Sequence, residues 1–212
     1  MSTRGTYQPT ELAGVFTFDP VVHSDNRGAF HEWFKADAFA EALGYPFIPE
    51  QANMSTSAAG VVRGIHFADV PPGQAKLVTC PSGRATDIIV DLRRGSDTFG
   101  QHITVELGGD SRKVVYLPVG VGHAFVAHET TVIAYLTSTG YNPDAEHAVS
   151  IDDPDLGIDI DAILGGMPRV LSKKDQAAPT VGTLGDRLPR WEDCRAYEND
   201  LRNMWAESMG EA

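Results

Sequence analysis

From residue 50 to residue 138, apolar and polar side chains alternate in short runs cut by Gly, Pro and Asp. Period-two alternation is the signature of a strand with one face buried. The pattern predicts strands over 50–57, 61–67, 75–81, 84–92, 101–107, 112–117, 123–128 and 131–138. Strands at intervals of roughly 8–12 residues indicate an all-β sandwich or barrel rather than alternating βαβ units. Two further strands are predicted upstream, over 14–18 and 29–34, with Asp25-Asn26-Arg27-Gly28 as the turn before the second. A helix is predicted over 38–43, with Asp37 as its N-cap and Gly44-Tyr45-Pro46 as its stop.

Both ends differ from this middle. The first ten residues are polar, and order there is expected only through packing on another part of the molecule. Residues 142–190 are rich in Asp, Pro and Gly, which predicts loops and a few turns lying against the sheets. From 190 to 208 the spacing turns helical, with Cys194, Tyr197, Leu201, Met204 and Trp205 on one stripe expected to be a packing face. No repeat and no low-complexity linker divides the chain. One domain over 1–212 is expected, with its core at about 14–175 and a C-terminal loop and helix over 176–212.

Composition narrows the partners. The 212 residues are 42% hydrophobic and 22% charged, ordinary for a globular protein. A formal net charge of −12 argues against nucleic acid, which is bound through neutralisation of phosphates by Lys and Arg. An anionic small ligand is still allowed, because a local cluster of cations suffices. Cys80 and Cys194 fit neither a disulfide framework nor a zinc spacing, and a reducing, cytoplasmic setting is expected. No apolar run approaches the ~20 residues of a membrane span, and the N-terminus lacks a signal-peptide core.

Candidate chemistry centres on Val62-Arg63-Gly64-Ile65-His66, followed ten residues after the histidine by Lys76. An imidazole near neutral pKa, with a cation close by to steady an oxyanion, is what proton removal beside a carbonyl needs. The plain alternative is one hydrogen-bonded strand histidine. Arg63 and His66, an odd number apart, face opposite sides of an ideal strand unless Gly64 marks a bulge. Pro118-x-Gly120-x-x-His123 matches half of the signature of metal-binding jelly rolls. The other half, a His-x-His pair with a Glu, is missing from His66-Phe67-Ala68, so no metal is expected. The remaining histidines, His23, His31, His102, His128 and His147, are expected at the surface or in loops. Asp87 sits inside a strongly apolar strand, and pairing with Lys76 on the neighbouring strand would offset the cost of burying it. Tyr135 and Tyr141 share parity, so a regular strand projects both to one face, as acid and pocket wall or as packing.

Seven motifs then occur in order: Asp25-x-Arg27-Gly28-x-Phe30, Gln51-x-Asn53-x-Ser55-x-Ser57, Arg63-Gly64-Ile65-His66, Gln74-x-Lys76, Asp87-x-x-Val90-Asp91-x-Arg93, Ser96-x-Thr98-Phe99-Gly100 and Tyr141-Asn142-Pro143. As a set they resemble the dTDP-4-dehydrorhamnose 3,5-epimerase family, most closely its actinobacterial members, from about Gly14 to Asp175. The resemblance implies a cupin-type jelly-roll barrel, usually a homodimer whose N-terminal segments help build the neighbour's pocket. It implies no metal, no redox cofactor and a dTDP-linked 4-keto-6-deoxy sugar as substrate. His66 then matches the base, Asp175 the carboxylate that orients it, Lys76 the cation beside the ketone oxygen and Tyr135 the acid on the opposite face. Arg63 matches a pyrophosphate contact; Arg27, Phe30, Glu32, Gln51, Asn53, Tyr141 and His123 match positions near the nucleotide or the sugar. Asp87 joins these as a residue expected near the substrate.

Two departures bear on specificity. The family commonly has Ala-His-Gly-Phe where this chain has Gly122-His123-Ala124-Phe125, and a Trp where it has Asp159-Ile160-Asp161. Both concern the pocket's shape and the number of carbons inverted. The expected activity is inversion at carbon 3 and carbon 5, with a single-centre epimerase or a silent sugar-nucleotide binder as the alternatives.

Overall fold

The structure, a computed structural model, describes residues 5–210. The chain begins with strands β1 (Thr6–Pro9), β2 (Phe16–Asp19), β3 (Val22–Asp25) and β4 (Gly28–His31), then helix α1 (Ala36–Leu43). Strands β5 (Gln51–Ser57), β6 (Val62–Ala68), β7 (Lys76–Ser82) and β8 (Arg84–Asp91) follow. Next come β9 (His102–Gly108), β10 (Val114–Leu117), β11 (Val121–Ala127), β12 (Thr131–Thr137) and β13 (Glu146–Ala148). Helices α2 (Ile160–Leu164), α3 (Lys173–Gln176), α4 (Val181–Leu184) and α5 (Trp191–Gly210) complete the chain.

The fold is mostly β with few helices, as the alternation predicts. One sheet has the order β1-β2-β10-β7-β12-β5 and the other β13-β6-β11-β8-β9, every ladder antiparallel. Val78, Ile89, Leu107, Val115, Leu117, Val121, Phe125 and Ile133, drawn from both sheets, form one buried cluster between them. The outer face of the first sheet is covered by α1 and α5 through Phe39, Leu43, Cys194 and Leu201. The outer face of the second is covered by Ile160, Leu164, Leu184 and Leu188. Among the described residues no ladder joins the two sheets, so they form a sandwich rather than a closed barrel.

Several expectations need correcting. Strand 29–34 stops at His31 and belongs to a separate hairpin of β3 and β4, whose two-residue turn is Asn26-Arg27. The cap position of α1 is held by Lys35, without a side-chain cap; Asp37 lies within the first turn, where its carboxylate suits the positive end of the helix. Met204 is 57% exposed and leaves the packing stripe, because Trp205 beside it already takes the inward position. The segment 142–190 holds short helices and β13 as well as loops. Of the polar opening, residues 6–9 pair with β2, and residues 1–4 lie outside the described residues.

Candidate active site

Strand β6 carries an irregularity that decides which side chains meet. Against β11, His66 pairs with His123 and Arg63 pairs with Phe125, so three steps on one strand match two on the other. That extra residue is a bulge, and it puts Arg63 and His66 on one face, the face of Phe125 in the interior cluster. Gly64 sits there with φ +96, and a Cβ would fall 2.3 Å from the His123 carbonyl oxygen, so only glycine fits. Asp87 shares this face, since it pairs with Phe125 on the other side of β11. Opposite, on the first sheet, Tyr135 pairs with Val78 and Asn53, and Lys76 with Leu117 and Thr137. Cross-strand partners share a face, so Lys76, Tyr135, Gln51 and Asn53 line the same interior space.

His66 Nε2 donates to Asp175 Oδ1 at 2.7 Å. A carboxylate only accepts, so the ring hydrogen is fixed on Nε2 and Nδ1 keeps the free lone pair. Asp175 is presented by a local capping motif, Ser172-Lys173-Lys174-Asp175. Its N–H donates to Ser172 Oγ at 3.0 Å, and Ser172 Oγ–H donates to Asp175 Oδ2 at 2.8 Å. Both carboxylate oxygens are thereby engaged. Burial holds the His66 pKa below the ordinary imidazole value; the hydrogen bond and charge of Asp175 oppose this, Lys76 adds to it and Glu146 opposes it. The ring is therefore neutral at neutral pH and free to take a proton.

The Lys76 pKa is also lowered, first by burial, against the opposing charges of Glu146 and Asp87. Tyr135 is raised, first by burial, with Glu146 adding to the rise and Arg63 opposing it. A neutral imidazole, a half-buried ammonium and a protonated phenol thus face one space. Such a set can remove a proton beside a carbonyl, hold the resulting enolate and return a proton.

The expected pair of Lys76 and Asp87 is not formed. Asp87 is fully buried, and its Oδ1 accepts from His123 Nε2 at 2.6 Å. Parity along a strand fixes which face a side chain takes, but not which neighbour it meets. Asp87 Oδ2 has no hydrogen-bond partner among the described residues. Tyr141 also departs from expectation: β12 ends at Thr137, and Tyr141 is 59% exposed in the following loop. Its N–H donates to Gln51 Oε1 at 2.8 Å, and Gln51 Nε2 donates to Asn53 Oδ1 at 2.7 Å, which ties that loop to β5.

Arg63 is exposed and donates from Nε to Ser57 Oγ at 3.0 Å. With His66, Leu171, Ser172, Lys174 and Asp175 it lines an open cleft of about 370 Å³. Arg27, Phe30 and Glu32 are not brought to this cleft. Arg27 pairs with Asp25 at the hairpin tip, Phe30 is 65% exposed, and Glu32 reaches Lys35 at 3.9 Å.

Two residues escaped the sequence reasoning. Lys174 lies in the cleft beside Arg63, and its position before Asp175 was the available signal. Glu146 acts electrostatically on His66, Lys76 and Tyr135 together. Nothing local marks it, because it reaches the site only through the pairing of Glu146 with Ala68. Of the other histidines, His23, His31, His102 and His147 lie on strands β3, β4, β9 and β13, and only His128, just past β11, is in a loop. His147 bonds Asp69, His102 the Leu156 carbonyl and His128 Thr86.

Fold and site define a two-sheet β protein whose interior carries acid–base groups. The chain belongs to the dTDP-4-dehydrorhamnose 3,5-epimerase family, whose sequence model matches residues 9–182. It is 39% identical over 195 residues to a dTDP-4-dehydrorhamnose 3,5-epimerase of Mycobacterium tuberculosis, covering 91% of this chain and 96% of the relative. It is 45% identical over 192 residues to a dTDP-4-dehydrorhamnose 3-epimerase of Streptomyces niveus, covering 89% and 91%. A solved 3'-monoepimerase of Streptomyces bikiniensis, in complex with dTDP-quinovose, superposes with a TM-score of 0.87 at 38% identity, covering 92% of this chain and 98% of that one.

Proposed function

We propose that the protein epimerises a dTDP-4-dehydro-6-deoxyhexose by removing a proton alpha to the C4 ketone and returning it to the opposite face. The observation that carries this is the 2.7 Å bond from His66 to Asp175, on an interior face shared with Arg63 and opposite Lys76 and Tyr135. His66 Nδ1 takes the proton, and Asp175 steadies the imidazolium that forms. Lys76 places its charge beside the ketone oxygen as the enolate develops. Tyr135, kept protonated by its raised pKa, delivers a proton from the other side. Arg63 and Lys174 suit the diphosphate, Arg63 with a fork of donors. Gln51, Asn53, Tyr141, His123 and Asp87 shape the remainder of the site.

Arg27 and Phe30 lie on a hairpin that, among the described residues, pairs with no other strand, and Glu32 follows just after it. This supports a homodimer in which the hairpin completes the neighbour's site. The two sheets are the halves of a jelly roll, and the whole chain acts as one epimerase unit. Two free, buried cysteines suit a reducing cytoplasm.

Inversion at both carbons is the favoured outcome, because Tyr135 supplies an acid for the second face. Inversion at carbon 3 alone is the second reading, favoured by the 45% identity to a 3-epimerase. The test is proton NMR in deuterium oxide with the 4-keto sugar nucleotide. Exchange at carbon 3 or carbon 5 with inverted product is expected. A folded protein that exchanges neither proton overturns the assignment.

A further inference from the structure

Strand β13 is three residues long and lies at the edge of its sheet. Glu146 pairs with Ala68, His147 with Phe67 and Ala148 with His66. Alternation puts Glu146 on the interior face, diagonal to His66, and His147 on the outer face. There the His147 ring lies 5.4 Å from that of Phe67. So short an edge strand has little ladder of its own, and its place depends on what anchors its ends.

Asp69 anchors one end three times over. Its Oδ1 accepts from His147 Nε2 at 2.8 Å, its N–H donates to the Ala145 carbonyl at 2.9 Å, and its own carbonyl accepts from Gly73 N–H at 2.8 Å. It therefore joins three pieces of chain: β6 with His66, the turn leading to Lys76, and the loop that carries Tyr141 into Glu146. A cavity of about 290 Å³ lies between these pieces, with Asp69, Gln74, Tyr141 and Glu146 in its walls. Asp69 and His147 have no other part in the reaction described above.

We propose that the Asp69–His147 hydrogen bond is a latch that holds Glu146 beside His66, making both positioning residues for the epimerase. The proposal rests on His66 being the base. Four variants test it. Asp69→Ala and His147→Ala remove the bond; Asp69→Asn and His147→Gln keep an acceptor and a donor in its place. The Ala variants should lower kcat/KM roughly three- to tenfold, the range for one hydrogen bond. The Asn and Gln variants should restore most of it. In a Glu146→Gln background the His147→Ala loss should largely disappear, because the latch acts through that carboxylate. Amide hydrogen exchange over 145–148 should quicken in the Ala variants alone. Equal losses in His147→Ala and His147→Gln, or a full loss persisting beside Glu146→Gln, overturns the latch. A wild type that exchanges no substrate proton refutes the base, not the latch. The amide exchange then decides the latch by itself: unchanged rates over 145–148 refute it and faster rates support it.

Discussion

Two histidine–aspartate pairs stand back to back in this molecule, since His66 and His123 are direct cross-strand partners. Their bonds are alike, 2.7 Å and 2.6 Å. Their settings are not. His66 has 29% of its side chain exposed, against 11% for His123. Asp175 arrives from a helix 109 residues along the chain and has both oxygens occupied. Asp87 comes from the strand next to that of His123 and keeps one buried oxygen without a partner among the described residues. A saturated carboxylate behind an accessible ring fixes a tautomer and leaves the ring to trade protons. A carboxylate with a spare oxygen, buried near Lys76, serves as a counter-charge instead. The same bond thus suits two jobs, which we propose for the two pairs on their accessibility and saturation.

The largest expected effect breaks the comparison directly. His66→Ala should lower substrate proton exchange by roughly 10²–10⁴-fold, the usual worth of a general base. It should lose less thermal stability than His123→Ala, because the buried Asp175 keeps its hydrogen bonds with Ser172. His123→Ala should do the converse first. It leaves the fully buried Asp87 without its hydrogen-bond partner, and an unsatisfied buried polar group costs about 1–3 kcal/mol. Thermal unfolding and exchange rates, measured on both variants, separate the two roles. If His123→Ala abolishes exchange at unchanged stability, the two pairs are not functionally distinct.

A smaller effect sharpens it. Because burial lowers the His66 pKa, the acid limb of kcat/KM should lie below the ordinary histidine value of about 6.5. Asp175 raises that pKa through its hydrogen bond and charge, so Asp175→Asn should move the limb to still lower pH while slowing the base step. Lys76, also lowered, should set an alkaline limb below about 10.5. An acid limb that stays fixed in Asp175→Asn, or moves upward, contradicts the pairing.

Much of this was legible in the chain, and the exceptions share a cause. Strands β5 to β12 and helix α5 follow from periodicity because each has one face in a core. Gly64 hinted at the bulge that brings Arg63 beside His66, since a glycine in a strand often marks one. The partner of Asp87 was not legible: Lys76 and His123 both offer an N–H donor, and only the ladder from β8 to β11 selects the histidine. Glu146 was hidden because a three-residue edge strand has no period to read. Tyr141 was misplaced because parity means nothing once β12 has ended at Thr137. Sequence pattern gives faces; pairings between strands must come from the fold.

The smallest expected effect concerns a ratio rather than a rate. Both acidic protons lie alpha to one ketone, so His66 and Lys76 can serve carbon 3 and carbon 5 in turn if the ring is re-presented. Return of the proton to the opposite face then distinguishes the two centres, and Tyr135, on the sheet opposite His66, is the acid proposed for it. Tyr135→Phe keeps the ring and its packing on the interior cluster, and removes only the hydroxyl. Exchange at carbon 3 should survive, because abstraction depends on His66. Inversion at carbon 5 should fall by about tenfold more than exchange at carbon 3, within the range for loss of a general acid. Proton NMR in deuterium oxide reads both centres in one experiment. If both fall equally, Tyr135 acts on the site as a whole and the task of acid passes elsewhere. If the wild type never inverts carbon 5 and Tyr135→Phe changes nothing, the enzyme acts at carbon 3 alone and the phenol is a wall of the pocket.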